Sequence, residues 1–378
     1  MTRRRDLPRT NRRAVLAALL VLLPAAQVRA EPPKQAEKHY LYVVTPGIRN
    51  LPEFGGAGVL VFDIDDGYNF VRRIETPASK EDKPDNVKGV CACAATKRLY
   101  FTTTQKLYCV DLVTEKALWE KALPQGCDRM SLTPDGKVLY VPSFEKDIWN
   151  VVGATEGDVL ATIETKSGAH NTVVSLDGSR MYLAGLRSPL LSVADTKTHK
   201  VVQTVGPFAA AVRPFTVNAA QTLCFANVND LLGFEVADLK TGKKLHRVEV
   251  EGFEKGPVKR HGCPSHGVGL TPDERELWVC DAHNSRVHVF DATVMPPKQV
   301  ASVKLREQPG WVTFSLDGRH AWPSTGEVID VKTRKIVAAL KDEKGREVHS
   351  EKMVEIHFKD GVPIRAGDQF GVGRAAPK

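Results

Sequence analysis

Between His261 and Asp291 the chain reads HGCPSHGVGLTPDERELWVCDAHNSRVHVFD, which places His261, Cys263, His266 and His283 in one stretch with Asp281 beside the last of them. Imidazole nitrogens and a thiolate suit copper or zinc, provided three or four donors converge. Their spacing matches no established metal signature, so surface or hydrogen-bonded histidines are the competing reading. His288 falls inside an alternating run and reads as structural. Cys91 and Cys93 stand two apart, where a strand would turn both the same way. They read as small residues filling an inner strand in preference to a ligand pair.

Local catalytic signatures are absent from the sequence. It contains no G-x-S-x-G elbow, no H-E-x-x-H, no phosphate-binding glycine loop, no G-x-G-x-x-G after a strand and no C-x-x-C-H for haem. Any chemistry must therefore be assembled from residues distant in the chain.

The elements that would assemble them are strands. In the same stretch, Gly267 to Leu270 is small and apolar, Thr271 to Glu274 is a turn, Glu276 to Cys280 is a second apolar run, and Val287 to Phe290 alternates. This meander recurs. Equivalent positions at Cys93, Thr133, Ser175, Asn218, Thr271 and Ser315 are separated by 40, 42, 43, 53 and 44 residues. A period near 40 with four strands per unit is the mark of a β-propeller blade, and such blades bury their faces only against neighbours. Residues 39 to 76 supply three strands with no first strand before them, while the segment EKMVEIHFKDG at Glu351 to Gly361 has the form of that missing strand. The expected fold is all-β, a seven-bladed propeller of four-stranded antiparallel blades over 39–361, with the ring closed by a C-terminal strand that completes blade one. Closure removes the open edge that invites aggregation. Residues 362–378 are expected to be a tail.

Units such as SLTPDGKVLYVPSFEKDIWNV and VGLTPDERELWVCDAHNSRVHVFD resemble the YVTN-repeat β-propellers, in which a Ser-Pro-Asp-Gly-like turn precedes a Leu-Tyr-Val-Thr-Asn-like strand and a Val-x-Val-x-Asp strand follows. The resemblance covers roughly residues 39 to 361, strongly in blades three, four, six and seven. It implies a seven-bladed, frequently exported propeller and no single activity, since members resemble lactonases, cofactor-carrying dehydrogenase subunits and binding proteins.

With the blades aligned, the residues five positions before each anchor are Lys88, Asp128, His170, Arg213, His266 and Gly310, with Trp311 beside the last. They mark the channel mouth, where Lys88 and Arg213 suit an anionic or carbonyl-bearing small molecule and the histidines suit proton transfer or metal binding. The long segments 46–58, 77–88 and 250–264 fall at the same end, the usual position of binding loops.

The amino terminus reads as an address. Arginines fill its first residues, Ala14 to Ala26 is apolar, and Val28-Arg29-Ala30 suits a signal peptidase, so residues 1–30 are expected to be a signal peptide, of general secretory or twin-arginine type, followed by a linker over 31–38. The apolar run is too short for a span of about 20 residues. Residues 1–30 hold seven arginines and one aspartate, leaving the remainder at +2 of the chain's +8. A nucleic-acid role, which needs a concentrated basic face, loses its support. All seven cysteines lie beyond residue 30, and an odd number leaves one unpaired.

These features lead to an exported periplasmic or extracellular monomer that binds a small molecule or a protein partner on its loop-rich face. The alternative is a propeller enzyme on the same face, either a lactonase-like hydrolase or a dehydrogenase subunit with copper or zinc.

Overall fold

Branched and aromatic residues pack well on a pleated surface, and the short runs of Val, Tyr, Phe and Thr between Asp-Gly turns form strands accordingly. The computed structural model describes residues 1–2 and 37–375; residues 3–30 of the expected signal peptide and nearly all of the linker lie outside the described residues. The strands form seven antiparallel sheets arranged as the blades of a ring. Six are built from four consecutive strands. Blade six, for example, runs Val268–Leu270, Glu276–Asp281, Arg286–Asp291 and Lys298–Lys304. Among the described residues, no helix is long and apolar enough to cross a membrane.

A blade is too thin to bury its own faces, so the core lies between blades. Trp149 and Tyr140 of blade three pack on Met181 and Leu183 of blade four. Trp278 and Val289 of blade six meet Val312 and Ile329 of blade seven. Leu41 and Val43 of blade one meet Trp322 and Val328 of blade seven, which brings the two ends of the repeat array together.

The ring closes as the sequence predicts. Strand Met353–Lys359 pairs antiparallel with Lys38–Thr45, from Val43↔Met353 to Lys38↔Phe358, and becomes the inner strand of blade one. The chain beyond it does more than trail away. Val362–Ala366 turns back to pair with Met353–Lys359 as a fifth strand. Residues 367–374 then cross the far end of the central channel, where Leu270 N–H donates to Gly371 O at 2.8 Å and Gly373 N–H donates to Val217 O at 3.0 Å. Phe370 and Val372 are buried there in the cluster that contains Trp311.

The repeated turns have a common geometry. Thr133, Ser175, Thr271 and Ser315 each donate a hydroxyl to the aspartate two residues on, at 2.7 Å in all four. Gly136, Gly178 and Gly318 follow at φ of 71°, 70° and 72°, where glycine escapes a steric penalty. Blade six places Glu274 at that position with φ 60°, and its carboxylate accepts Ala219 N–H at 2.6 Å from blade five. The Pro-Asp-Gly-like motif thus belongs to folding.

Candidate functional site at the channel mouth

The inner strand of every blade begins at the same end of the channel, so the residues at those beginnings meet around one opening. That opening is a cavity of about 90 Å³. Lys88, His170, Arg213 and His266 line it, and all three long segments contribute: Ile48 and Arg49 from the first, Asn86 from the second, Arg260 and His261 from the third. Below it the channel is closed, because Trp311 Nε1–H donates to the Gln369 carbonyl of the crossing segment and its ring stands 5.9 Å from that of Phe370.

The charged groups are buried and paired. Asp128 is fully buried, accepts from His170 Nδ1 at 2.7 Å and lies 3.4 Å from Lys88 Nζ. Burial opposes its ionisation, but His170, Lys88 and Arg129 outweigh that cost and hold its carboxyl at about 2. The His170 imidazole is pushed down, chiefly by burial, with Lys88 and Arg129 adding to the effect and Asp128 opposing it. His266 donates Nδ1–H to Gly310 O at 2.7 Å and is pushed well down, again mainly by burial. Both rings are therefore neutral near pH 7.

A second knot lies beside them. Glu351 accepts from the Arg129 guanidinium, from Lys352 Nζ at 2.9 Å and from His261 Nδ1 at 3.0 Å. Burial would raise its carboxyl, and Lys352, Arg129 and His261 together bring it well below the usual range. Lys352 also donates to Gly47 O at 2.9 Å. Burial, only partly offset by Glu351, lowers this lysine to about 7. The Arg129 guanidinium sits 4.2 Å above the Trp311 ring, a cation–π contact. A Cβ on Gly310 would fall 2.1 Å from His261 Cε1 and 2.3 Å from Glu351 Oε1, so the absent side chain at this ring position is what admits both groups.

Of the residues expected at the mouth, Lys88, His170, Arg213 and His266 line the cavity, whereas Asp128 lies behind it against Lys88 and His170, and Trp311 lies beneath Arg129. Arg213 donates to Asn229 Oδ1 at 2.5 Å and to Gly262 O at 3.1 Å. The four donors considered for a metal do not converge. His261 and His266 stand 5.1 Å apart by ring centroid, but Cys263 turns its thiol to Ser265 O at 3.2 Å, and burial pushes that thiol up to about 12. His283 is exposed and leans on the loop, its Nδ1 3.3 Å from Pro257 O. Asp281 is engaged with His288 Nε2 at 3.0 Å, and the other His288 nitrogen meets Ser302 Oγ at 2.7 Å, a structural arrangement. His261, His266 and Glu351 do converge, yet a dication there would stand beside Arg129 and Lys352. The seven cysteines are all free thiols, and Cys91 and Cys93 pack with the cluster between blades two and three.

Arg129, Glu351 and Lys352 were not among the expected residues. Arg129 immediately follows Asp128 and carries no spacing signal of its own. Glu351 and Lys352 open the closing strand, and only counting that strand as a member of the ring would have included them.

No protein-family model matches the chain, and no curated protein matches it. Among solved structures, it is similar to Kuenenia stuttgartiensis hydrazine synthase at 14% identity and a TM-score of 0.45, over 66% of this chain and 93% of that one. Nothing about activity follows from a likeness at that level.

Proposed function

We propose that this chain is an exported propeller of the YVTN-repeat type that binds a small anion in its blind channel mouth. The observation that carries the reading is the charge of the lining. Arg49, Lys88, Arg129, Arg213, Arg260 and Lys352 face the cavity against two carboxylates, Glu145 and Glu351. Lys88, Arg129, Lys352 and Arg260 are matched by Asp128, Glu351 and Glu307, whereas Arg49 and Arg213 have no carboxylate partner among the described residues. Two guanidiniums held by neutral acceptors at the rim of a closed cavity suit an incoming carboxylate or phosphate, which they can engage in bidentate fashion. The cavity is narrow, about 90 Å³, which suits a small ligand. Export is supported by the arginine-rich start, the apolar run and the Val28-Arg29-Ala30 site.

Calorimetric titration of the full chain at low salt with phosphate, acetate and citrate tests the reading. Saturable binding of at least one, weakened about tenfold in Arg213→Gln, is expected. Absence of binding, or equal binding by that variant, overturns it.

A hydrolytic reading has one specific observation in its favour. Lys352, lowered to about 7, is a buried amine that can exchange a proton near neutral pH beside Glu351 and His261. Turnover of simple lactones, lost in Lys352→Met, would establish it.

A further inference from the structure

His357 lies near the end of the closing strand whose approach carries Glu351, so its surroundings sit at the opposite end of blade one from the channel mouth. His39 and His357 are directly opposed in the antiparallel ladder, with ring centroids 4.0 Å apart. An outer carboxylate holds each ring: Asp65 Oδ1 lies 2.8 Å from His39 Nδ1, and Glu355 Oε1 lies 2.6 Å from His357 Nε2. The two remaining nitrogens, His39 Nε2 and His357 Nδ1, face a single oxygen, Glu37 Oε1, at 3.4 and 3.1 Å. The potential ligand atoms of Glu37, His39 and His357 lie within 4.8 Å of one another.

This is the arrangement of a histidine metal site with its outer shell in place. A ligating imidazole usually gives its other nitrogen to a carboxylate, which fixes the ring and makes the free nitrogen a better donor. Both rings here are held in that way, and a third donor completes the set. The electrostatics agree. Glu37, Asp65 and Glu355 gather around two imidazoles, and no lysine or arginine pairs with any of the three among the described residues. The contrast with His261, His266 and Glu351 is decisive, because there Arg129 and Lys352 already supply the positive charge.

We propose that Glu37, His39 and His357 bind a divalent transition metal of the zinc or copper class, tying the segment that precedes the first strand to the strand that closes the ring. A metal ion needs both imidazoles free of a proton at the nitrogen that faces Glu37, so affinity falls as pH drops. Two stretches far apart in sequence, at residues 37–39 and at residue 357, become cross-linked at the seam between the first strand and the closing strand.

The test is calorimetric titration of chelator-treated full chain with Zn2+ near neutral pH, followed by thermal melts with and without the metal. One equivalent is expected to bind and raise the melting temperature. His39→Gln should weaken binding at least tenfold, and Asp65→Asn, which acts only by positioning His39, should weaken it about tenfold. His261→Gln should bind as the unaltered chain does. If His357→Gln fails to fold, His39→Gln still decides the matter, since the His39 side chain is 28% exposed and removable without emptying a core. Absence of saturable zinc binding, unchanged binding in His39→Gln, or binding lost in His261→Gln instead would each overturn the proposal.

Discussion

Glu351 and Arg129 form an ion pair across the channel, joining the approach to the ring-closing strand with the start of blade three, and only 3% of the arginine side chain and 6% of the glutamate side chain are exposed. Removing one partner leaves the other charge buried. Glu351→Gln is expected to lower unfolding free energy by about 3–5 kcal/mol, since Arg129 and Lys352 lose their shared carboxylate. Urea denaturation followed by tryptophan fluorescence measures this directly.

Closure of the ring predicts a sharp dependence on the last strand. A chain ending before Glu351 loses the inner strand of blade one and exposes the edge of Lys38–Thr45. It should be recovered insoluble or unfolded. A normal melting curve for that truncation would contradict the closure.

The segment crossing the far end contributes a separate amount. Phe370 is buried among Trp311, Phe215 and Val217. Phe370→Ala should cost about 3–5 kcal/mol while leaving the closing strand in place. Equal melting temperatures for the two proteins would show that the plug packs loosely.

The buried imidazoles give a signed pH dependence. His170 and His266 have folded-state affinities for protons below the ordinary value of 6.5. The unfolded chain therefore takes up protons first as pH falls, and the stability these groups contribute is present above 6.5 and lost below it. The denaturation midpoint should decline from pH 7 towards pH 5, and His266→Gln should show a shallower decline.

If the rim arginines attract an anion from solution, its apparent affinity should fall as ionic strength rises from about 0.01 M to about 0.15 M. The fall should be smaller in Arg213→Gln. Calorimetry at the two salt concentrations reports both slopes, and equal slopes would remove Arg213 from the interaction.

Much of this architecture was legible in the sequence because a blade repeats its grammar. The Thr133 and Asp135 turn, the alternation at Val287 to Phe290 and the strand at Met353 all follow local rules of period and turn chemistry. The polar positions were legible for the same reason, since equal spacing places Lys88, Asp128, His170, Arg213 and His266 at corresponding points of their blades, and all but Asp128 line the mouth. What escaped depends on how loops fold over that ring. Nothing in the sequence tells that His261 turns inward to Glu351 while His283, on a neighbouring loop, faces solvent. Cys263 looked like a ligand by type, and its burial against Ser265 O decides otherwise. Gly310 carries no side chain among the six aligned positions, and that lack is what makes room for His261 and Glu351.

The channel mouth draws Arg49 from the first blade and Lys352 from the approach to the closing strand, so its lining spans nearly the whole order of synthesis. A growing chain can stack blades two to seven one after another, yet none of those intermediates possesses a finished pocket. If the mouth binds an anion as proposed, that affinity arrives only once the closing strand is in place. On that reading, a product cut before the closing strand does not compete with the intact chain for the anion.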